Sequence, residues 1–182
     1  MAVADQVKPA SGQQAGHTLS GVKILDAVKA AGIDIVLSVP DITTSQGLLK
    51  RVAEGKDFKL IRVCKEDECL GIAAGLMYGD RRPLILIQHT GFLYALNAIR
   101  AVAVEQKLPM VMMIGLLAKE PDVAPTKSKR YGLRIIEPIL DVMGIERHYI
   151  DTDADIGKIA PAIAKAYDTS APVALLIGRS PV

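Results

Sequence analysis

Val63-Cys64-Lys65-Glu66-Asp67-Glu68-Cys69-Leu70-Gly71-Ile72-Ala73-Ala74-Gly75-Leu76-Met77-Tyr78 joins the end of an apolar run to a stretch of small and aliphatic residues. The run behind it, Lys59 to Val63, has the length of a strand. The segment from Glu66 to about Tyr78 is long enough for more than three helical turns. Three carboxylates, Glu66, Asp67 and Glu68, open that helix, where unpaired backbone N–H groups make the field positive and favour them. A strand that ends directly in a charged helix start is half of a strand–helix–strand unit.

The same unit recurs on both sides. Asp34 to Val39, Leu84 to Gln88, Met110 to Ile114, Glu146 to Ile150 and Val173 to Ile177 are five further strand-sized runs. Most are continuously apolar rather than alternating, as expected for parallel strands covered on both faces. Helical spacing follows Ser20 (Val22, Leu25, Val28 and Lys29, closed by Gly32) and Thr44 (Leu48, Leu49, Val52). It returns over Phe92 to Glu105, Ile135 to Met143 and Asp155 to Tyr167. Strand and helix alternating in this way predict an α/β fold: a doubly wound, mainly parallel six-stranded sheet with helices on both faces and right-handed crossovers. The chain of 182 residues suits one such domain, residues 18–182. Residues 1–17, small and polar with Pro9, Gly12 and Gly16, read as a flexible N-terminal arm.

Bulk composition narrows the function classes. Half the residues are apolar, yet there is no Trp and only two Phe, so the core must be aliphatic. The net charge of +2 comes from scattered Lys and Arg, not from the gathered basic face that nucleic acid requires. No apolar run approaches the roughly 18 residues of a membrane span, and the arm lacks the pattern of a secretory or transit segment, so a cytoplasmic protein is expected. Cys64 and Cys69 stand five apart, which makes neither a redox nor a metal motif; two reduced, mostly buried thiols are expected. The apolar content also predicts self-association through a sizeable interface.

In an open parallel sheet, ligands bind beyond the carboxyl ends of the strands. Four loops lie there: Pro40 to Ser45, Cys64 to Glu66, Gln88 to Gly91, and the long stretch Gly115 to Arg134. About 20 residues of loop in a compact domain signal a lid, an interface element or disorder. No GxGxxG follows the first strand and no GxxxxGK[ST] occurs, which argues against a Rossmann or P-loop site. Asp41, Thr43, Thr44 and Ser45 can bind substrate oxygens, or Thr44 or Ser45 can cap the second helix. Lys127, Lys129, Arg130 and Arg134 can attract a doubly anionic ligand, or form a solvated loop. Gly71, Gly75 and Gly79 recur every four residues and predict close packing against a neighbouring helix. His148, on the fifth strand, reads as structural.

The ordered set of these features resembles the pyrimidine-binding domain of thiamin-diphosphate-dependent decarboxylases. Glu66 at a strand end, Gly71-Ile72-Ala73 and Gly75 nine residues on carry the likeness. So do Gln88-His89-Thr90-Gly91, Asn97-Ala98, and Leu108-Pro109 entering the strand before Gly115. It covers roughly Leu19 to Ile177. Pro40-Asp41, Lys65 to Glu68, and Thr90-Gly91 with Asn97-Ala98 narrow it to the branch acting on 2-oxo acids with a sulfonate or phosphonate at C3. The resemblance implies that Glu66 donates a hydrogen bond to N1′ of the aminopyrimidine of thiamin diphosphate. That bond helps the neighbouring amino group take the proton from thiazolium C2. It further implies Glu66, Gly91 and Asn97 as cofactor-binding, His89 beside the reacting centre, and Asp41, Thr43 and Thr44 toward substrate. The family's GDG motif for Mg²⁺ and diphosphate is missing; Gly79-Asp80 is followed by Arg81 in an expected turn. The resemblance therefore implies a separate β subunit carrying the diphosphate-binding domain and the Mg²⁺. Two other readings stay open: a related carbon–carbon-joining thiamin enzyme, and a non-catalytic binding or regulatory module of the same fold.

Overall fold

Ser20 is extended, and its hydroxyl accepts the Lys23 N–H at 3.4 Å, so helix α1 (Gly21–Ala30) begins at the expected cap. Past its end, Gly32 adopts φ +82°, a left-handed turn that only glycine takes without strain. The computed structural model describes residues 18–182; the expected arm, residues 1–17, lies outside them.

All six expected strands form: β1 (Ile35–Ser38), β2 (Lys59–Arg62), β3 (Pro83–Gln88), β4 (Val111–Gly115), β5 (Glu146–Tyr149) and β6 (Val173–Ile177). Each pairing is parallel, and the order across the sheet is β2-β1-β3-β4-β6-β5. The order dictates which face each helix covers. A right-handed crossover puts its helix on one face when the chain steps one way along the sheet, and on the other when it steps back. From β1 to β2 and from β5 to β6 the chain steps one way. Helix α2 (Lys50–Glu54), entered through a π-helical turn Ser45–Leu49, therefore shares a face with α8 (Ile159–Thr169), and α1 joins them. The other three steps go the opposite way. They place α3 (Glu66–Tyr78), α4 (His89–Tyr94), α5 (Leu96–Ala98), α6 (Tyr131–Arg134) and α7 (Ile136–Val142) across the second face.

Strand alternation divides the core accordingly. Leu84, Leu86, Val111, Met113 and Leu175 face α1, α2 and α8, while Ile85, Ile87, Met112, Ile114 and Leu176 face α3 to α7. The central strands are apolar on both sides because both sides are covered. The edge strands β2 and β5 carry Lys59, Arg62 and Glu146 in the open.

Several expectations need correcting. The fourth helix does not start at Phe92. Gln88 is extended and α4 begins at His89, so the supposed loop is the first helical turn; the helix is then interrupted at Ala95 and continues as a π-helical stretch, Ile99–Val104. Cys69 is buried as expected, but Cys64 is exposed. Burial, then the charges of Glu66 and Glu68, push the Cys69 thiol up to about 12. The glycine ladder of α3 has no helix against Gly71 or Gly75 among the described residues: a Cβ at either would meet nothing within 4 Å. Residues Gly115 to Arg134 are folded on themselves, with a 3₁₀ turn at Pro125–Lys127 and α6 at the end.

Candidate active site

Helix α3 presents Glu66 as its first residue. Nothing at the cap position does the usual work of Ser or Asp; instead Glu68 reaches back, and its carboxylate accepts the Cys64 N–H at 3.0 Å and the Lys65 N–H at 3.4 Å. This holds the β2–α3 junction while leaving Glu66 free. Lys65 is held to Tyr94 of α4, a contact that raises its pKa. Glu66 is part-buried, and its carboxyl accepts no hydrogen bond among the described residues.

The Glu66 side chain extends from the end of β2 toward the end of β3, two strands away, and rests on Gly91 in α4. A Cβ on Gly91 would stand 2.5 Å from Cδ of Glu66 and closer still to its Cγ and Oε1. Gly91 is thus the floor on which this carboxyl lies. Here the glycine is required by close approach, not by backbone angle.

His89, two residues earlier, is 5% exposed. Its Nδ1 accepts the Leu117 N–H at 3.2 Å, which leaves the proton of the neutral ring on Nε2. Nε2 faces Gly132, where an added Cβ would lie 3.4 Å away. The imidazole is therefore gripped by both ends of the Gly115–Arg134 segment. Burial lowers its pKa, and the charge of Arg130 acts in the same direction; the Gly115 carbonyl and Asp41 oppose. A histidine with a lowered folded-state pKa binds its proton more readily when unfolded. Its contribution to stability is present above the ordinary value near 6.5 and is lost as pH falls through the folded value. Protonation would also turn Nδ1 into a donor facing the Leu117 donor. We expect denaturant unfolding to show a larger loss of stability between pH 7.5 and 5.5 in the wild-type chain than in His89→Asn. Equal losses in the two proteins would refute this assignment.

The loop after β1 divides its labour. Ser38 at the end of β1 donates to the Leu86 carbonyl at 2.8 Å, tying β1 to β3. Asp41 accepts the Thr44 N–H at 2.9 Å and also the Thr44 hydroxyl. Thr44 stands at the cap position of the turn Ser45–Leu49, as expected, but its side chain makes no cap bond there; it is tied back to Asp41, so the polar groups of Asp41 and Thr44 satisfy each other. Thr43 is different. It is buried, and its Oγ1 has no hydrogen-bond partner among the described residues. Gly115 makes room for this loop, because a Cβ there would stand 2.9 Å from Asp41 Oδ1 and 3.1 Å from Thr43 Cβ.

Other expected residues lie apart. Asn97 is exposed on α5, where its side-chain oxygen accepts from Arg100 Nε at 3.3 Å and from a terminal guanidinium nitrogen at 3.0 Å. Arg134 donates to the carbonyls of Ser128 and Lys129, and Glu120 accepts the Ser128 hydroxyl at 2.7 Å and the Lys129 N–H at 3.0 Å. Of the four charges first read as an anion trap, Arg134 thus locks the segment together, and Lys127, Lys129 and Arg130 lie exposed beside it. His148 pairs with Glu146 at 2.9 Å on the edge strand, in keeping with a structural part.

Sequence reasoning missed a second group on the same edge. Lys119, Asp151 and Arg179 converge beyond the ends of β4, β5 and β6. The rule that directs attention to the carboxyl ends of strands would have found Asp151 and Gly178, had the last two strands been treated like the first four. Among the described residues, no three His, Cys, Asp or Glu side chains come together to hold a metal ion. No helix there is long and apolar enough to cross a membrane.

No family model matches the chain. It is 30% identical over 154 residues to the α subunit of sulfopyruvate decarboxylase from Methanocaldococcus jannaschii, covering 84% of this chain and 89% of that one. A second α subunit, from Methanococcus maripaludis, is 30% identical over 91 residues, half of this chain and 54% of the relative. The sulfopyruvate decarboxylase of Methanosarcina acetivorans is 31% identical over 91 residues, 23% of its own length. The fold is similar to that of benzoylformate decarboxylase from Polynucleobacter necessarius, with a TM-score of 0.65 and 19% identity. The likeness covers 88% of this chain but only 30% of the larger enzyme, and it is one of fold.

Proposed function

The chain belongs to the family of sulfopyruvate decarboxylase α subunits, and from that premise we propose that it supplies the pyrimidine-binding half of a thiamin-diphosphate active site. The reaction is the decarboxylation of a 2-oxo acid, 3-sulfopyruvate, to sulfoacetaldehyde and carbon dioxide. The observation that carries this is the Glu66–Gly91 contact: a part-buried carboxyl at the start of a helix, without a hydrogen-bond partner among the described residues, laid on a residue that has no side chain to obstruct it.

The residues present suit the pyrimidine end of the cofactor and not its diphosphate end. Thiamin diphosphate, when bound, supplies the electron sink for the departing carboxylate. Glu66 would hold a proton against N1′ of the pyrimidine ring, a position where a carboxyl can both donate and withdraw it. His89, with its proton on Nε2 and its other nitrogen fixed by Leu117, would present a neutral donor beside the reacting centre. Thr43 offers a hydroxyl toward substrate, and Asp41 and Thr44 hold the loop that presents it. Gly91 shapes the floor, and Asn97, exposed on α5, would meet the cofactor from farther along the β3–β4 connection.

The diphosphate and Mg²⁺ need oxygen ligands that the Gly79-Asp80-Arg81 turn does not offer. Asp80 there takes a left-handed conformation at the end of α3, shaping a turn. A β subunit carrying the diphosphate-binding domain completes the site, and the two unpaired thiols suit a reducing, cytoplasmic compartment. Reconstitution tests this reading. The chain mixed with its partner subunit, thiamin diphosphate and Mg²⁺ should release carbon dioxide from 3-sulfopyruvate, and neither subunit alone should do so. Turnover by this chain without a partner, or none with it, would overturn the proposal.

A further inference from the structure

Beyond the ends of β4 and β6 lies a cavity of about 400 Å³, walled by Thr43, Leu117, Lys119, Asp151, Gly178 and Arg179. Thr43 is 6% exposed, and its buried hydroxyl has no hydrogen-bond partner among the described residues. Buried hydroxyls are ordinarily hydrogen-bonded, so this one is short of a partner. The Lys119 side chain is 9% exposed, and its ammonium meets one carboxylate, Asp151, at 3.3 Å. An ammonium carries three donors, so two remain for a ligand. Arg179 makes no ion pair among the described residues.

The arrangement is built, not incidental. Asp151 is anchored by the Gly178 N–H at 3.0 Å. The Lys119 stem lies over Gly178, where an added Cβ would stand 2.8 Å from Lys119 Cδ and collide with Asp151. Gly178 therefore admits the ion pair to the cavity wall. The one other carboxylate, Asp122, is exposed in a left-handed turn at the rim. Asp151 is engaged by Lys119 and by the Gly178 N–H, which leaves a hydroxyl, an ammonium with spare donors and a guanidinium to meet a group that has only acceptors.

The cavity also abuts the site already described. Leu117, which lines it, is the residue whose N–H fixes His89, and Thr43 follows Asp41 by two residues. We propose that this cavity receives the anionic tail of the substrate, a tetrahedral oxyanion at C3, through Thr43, Lys119 and Arg179. The inference rests on the decarboxylase reading for its substrate. Sulfonate and phosphonate share the required chemistry, and the test separates them.

Calorimetric titration of the purified chain with 3-sulfopropionate and with 3-phosphonopropionate, neither of which has a 2-oxo group to react, measures the site directly. At least one of the two should bind. Lys119→Met and Thr43→Val should each weaken that binding at least about tenfold, the effect of losing one hydrogen bond of this class. Thr43→Ser, which keeps the hydroxyl, should retain it and controls for folding. The acid that binds more tightly identifies the tail. Absence of binding by the wild-type chain, or equal binding by Lys119→Met and Thr43→Val, would overturn the proposal.

The reconstituted enzyme separates the two readings. An unchanged KM for 3-sulfopyruvate in Lys119→Met would place the tail elsewhere and leave the decarboxylase standing. Tight binding of the acids by a chain whose reconstituted complex releases no carbon dioxide would sink the decarboxylase and keep the anion site.

Discussion

Glu66→Gln is expected to slow hydrogen exchange at thiazolium C2 in the reconstituted enzyme by about 10²–10⁴-fold, the range a positioned acid–base group contributes. The amide matches the carboxyl in size and still rests on Gly91, so binding geometry survives the change. What it lacks is a proton to exchange with the ring nitrogen. Stability should hardly move. Removing one charge from the first turn of α3 costs about 0.3–1 kcal/mol at most, and Asp67 and Glu68 remain there. Deuterium exchange at C2, followed by NMR after acid quench, reads the chemical step separately from substrate binding. An exchange rate equal to wild type would remove Glu66 from the mechanism.

Gly91→Ala should be nearly as damaging for a different reason. The new methyl group would occupy the space of the Glu66 side chain, so one of the two must move. A glutamate side chain is flexible and can swing away, which keeps the expected loss of stability under about 1.5 kcal/mol, as for mild overpacking that can relax. The carboxyl would then be out of place by about the width of a methyl group. A misplacement of about 1 Å can cost 10²-fold in rate. We therefore expect kcat to fall by roughly 100-fold with the melting temperature nearly unchanged. A normal rate in Gly91→Ala would mean that Glu66 does not act from its position over Gly91. A large loss of stability with normal residual chemistry would make Gly91 a packing residue only.

The two substitutions differ in what sequence could say about them. Glu66 was singled out by the resemblance of the ordered set of motifs, since a leading carboxylate by itself only suits a helix N-terminus; the strands were visible because parallel sheets demand continuous apolar runs. Even α3 was legible from first residue to last. The start of α4 was not. His89, Thr90 and Gly91 are poor helix formers, and they form a helical turn because β3 delivers them beneath the folded Gly115–Arg134 segment, which holds His89 from both sides. The cap position at Thr44 was legible, but not that its hydroxyl would turn back to Asp41 instead of capping the helix; only the hydrogen bonds decide that.

By itself the order of residues determined the strands, their parallel pairing and the crossover of each helix, because backbone pairing and burial are read by local periodicity. The tertiary structure alone decided which groups come together: Glu66 over Gly91, 25 positions later, His89 with the Leu117 N–H, and Thr43, Lys119 and Arg179 around one cavity. Strand order β2-β1-β3-β4-β6-β5 brings those loops to one edge, and nothing in the spacing of residues along the chain encodes a distance across a sheet.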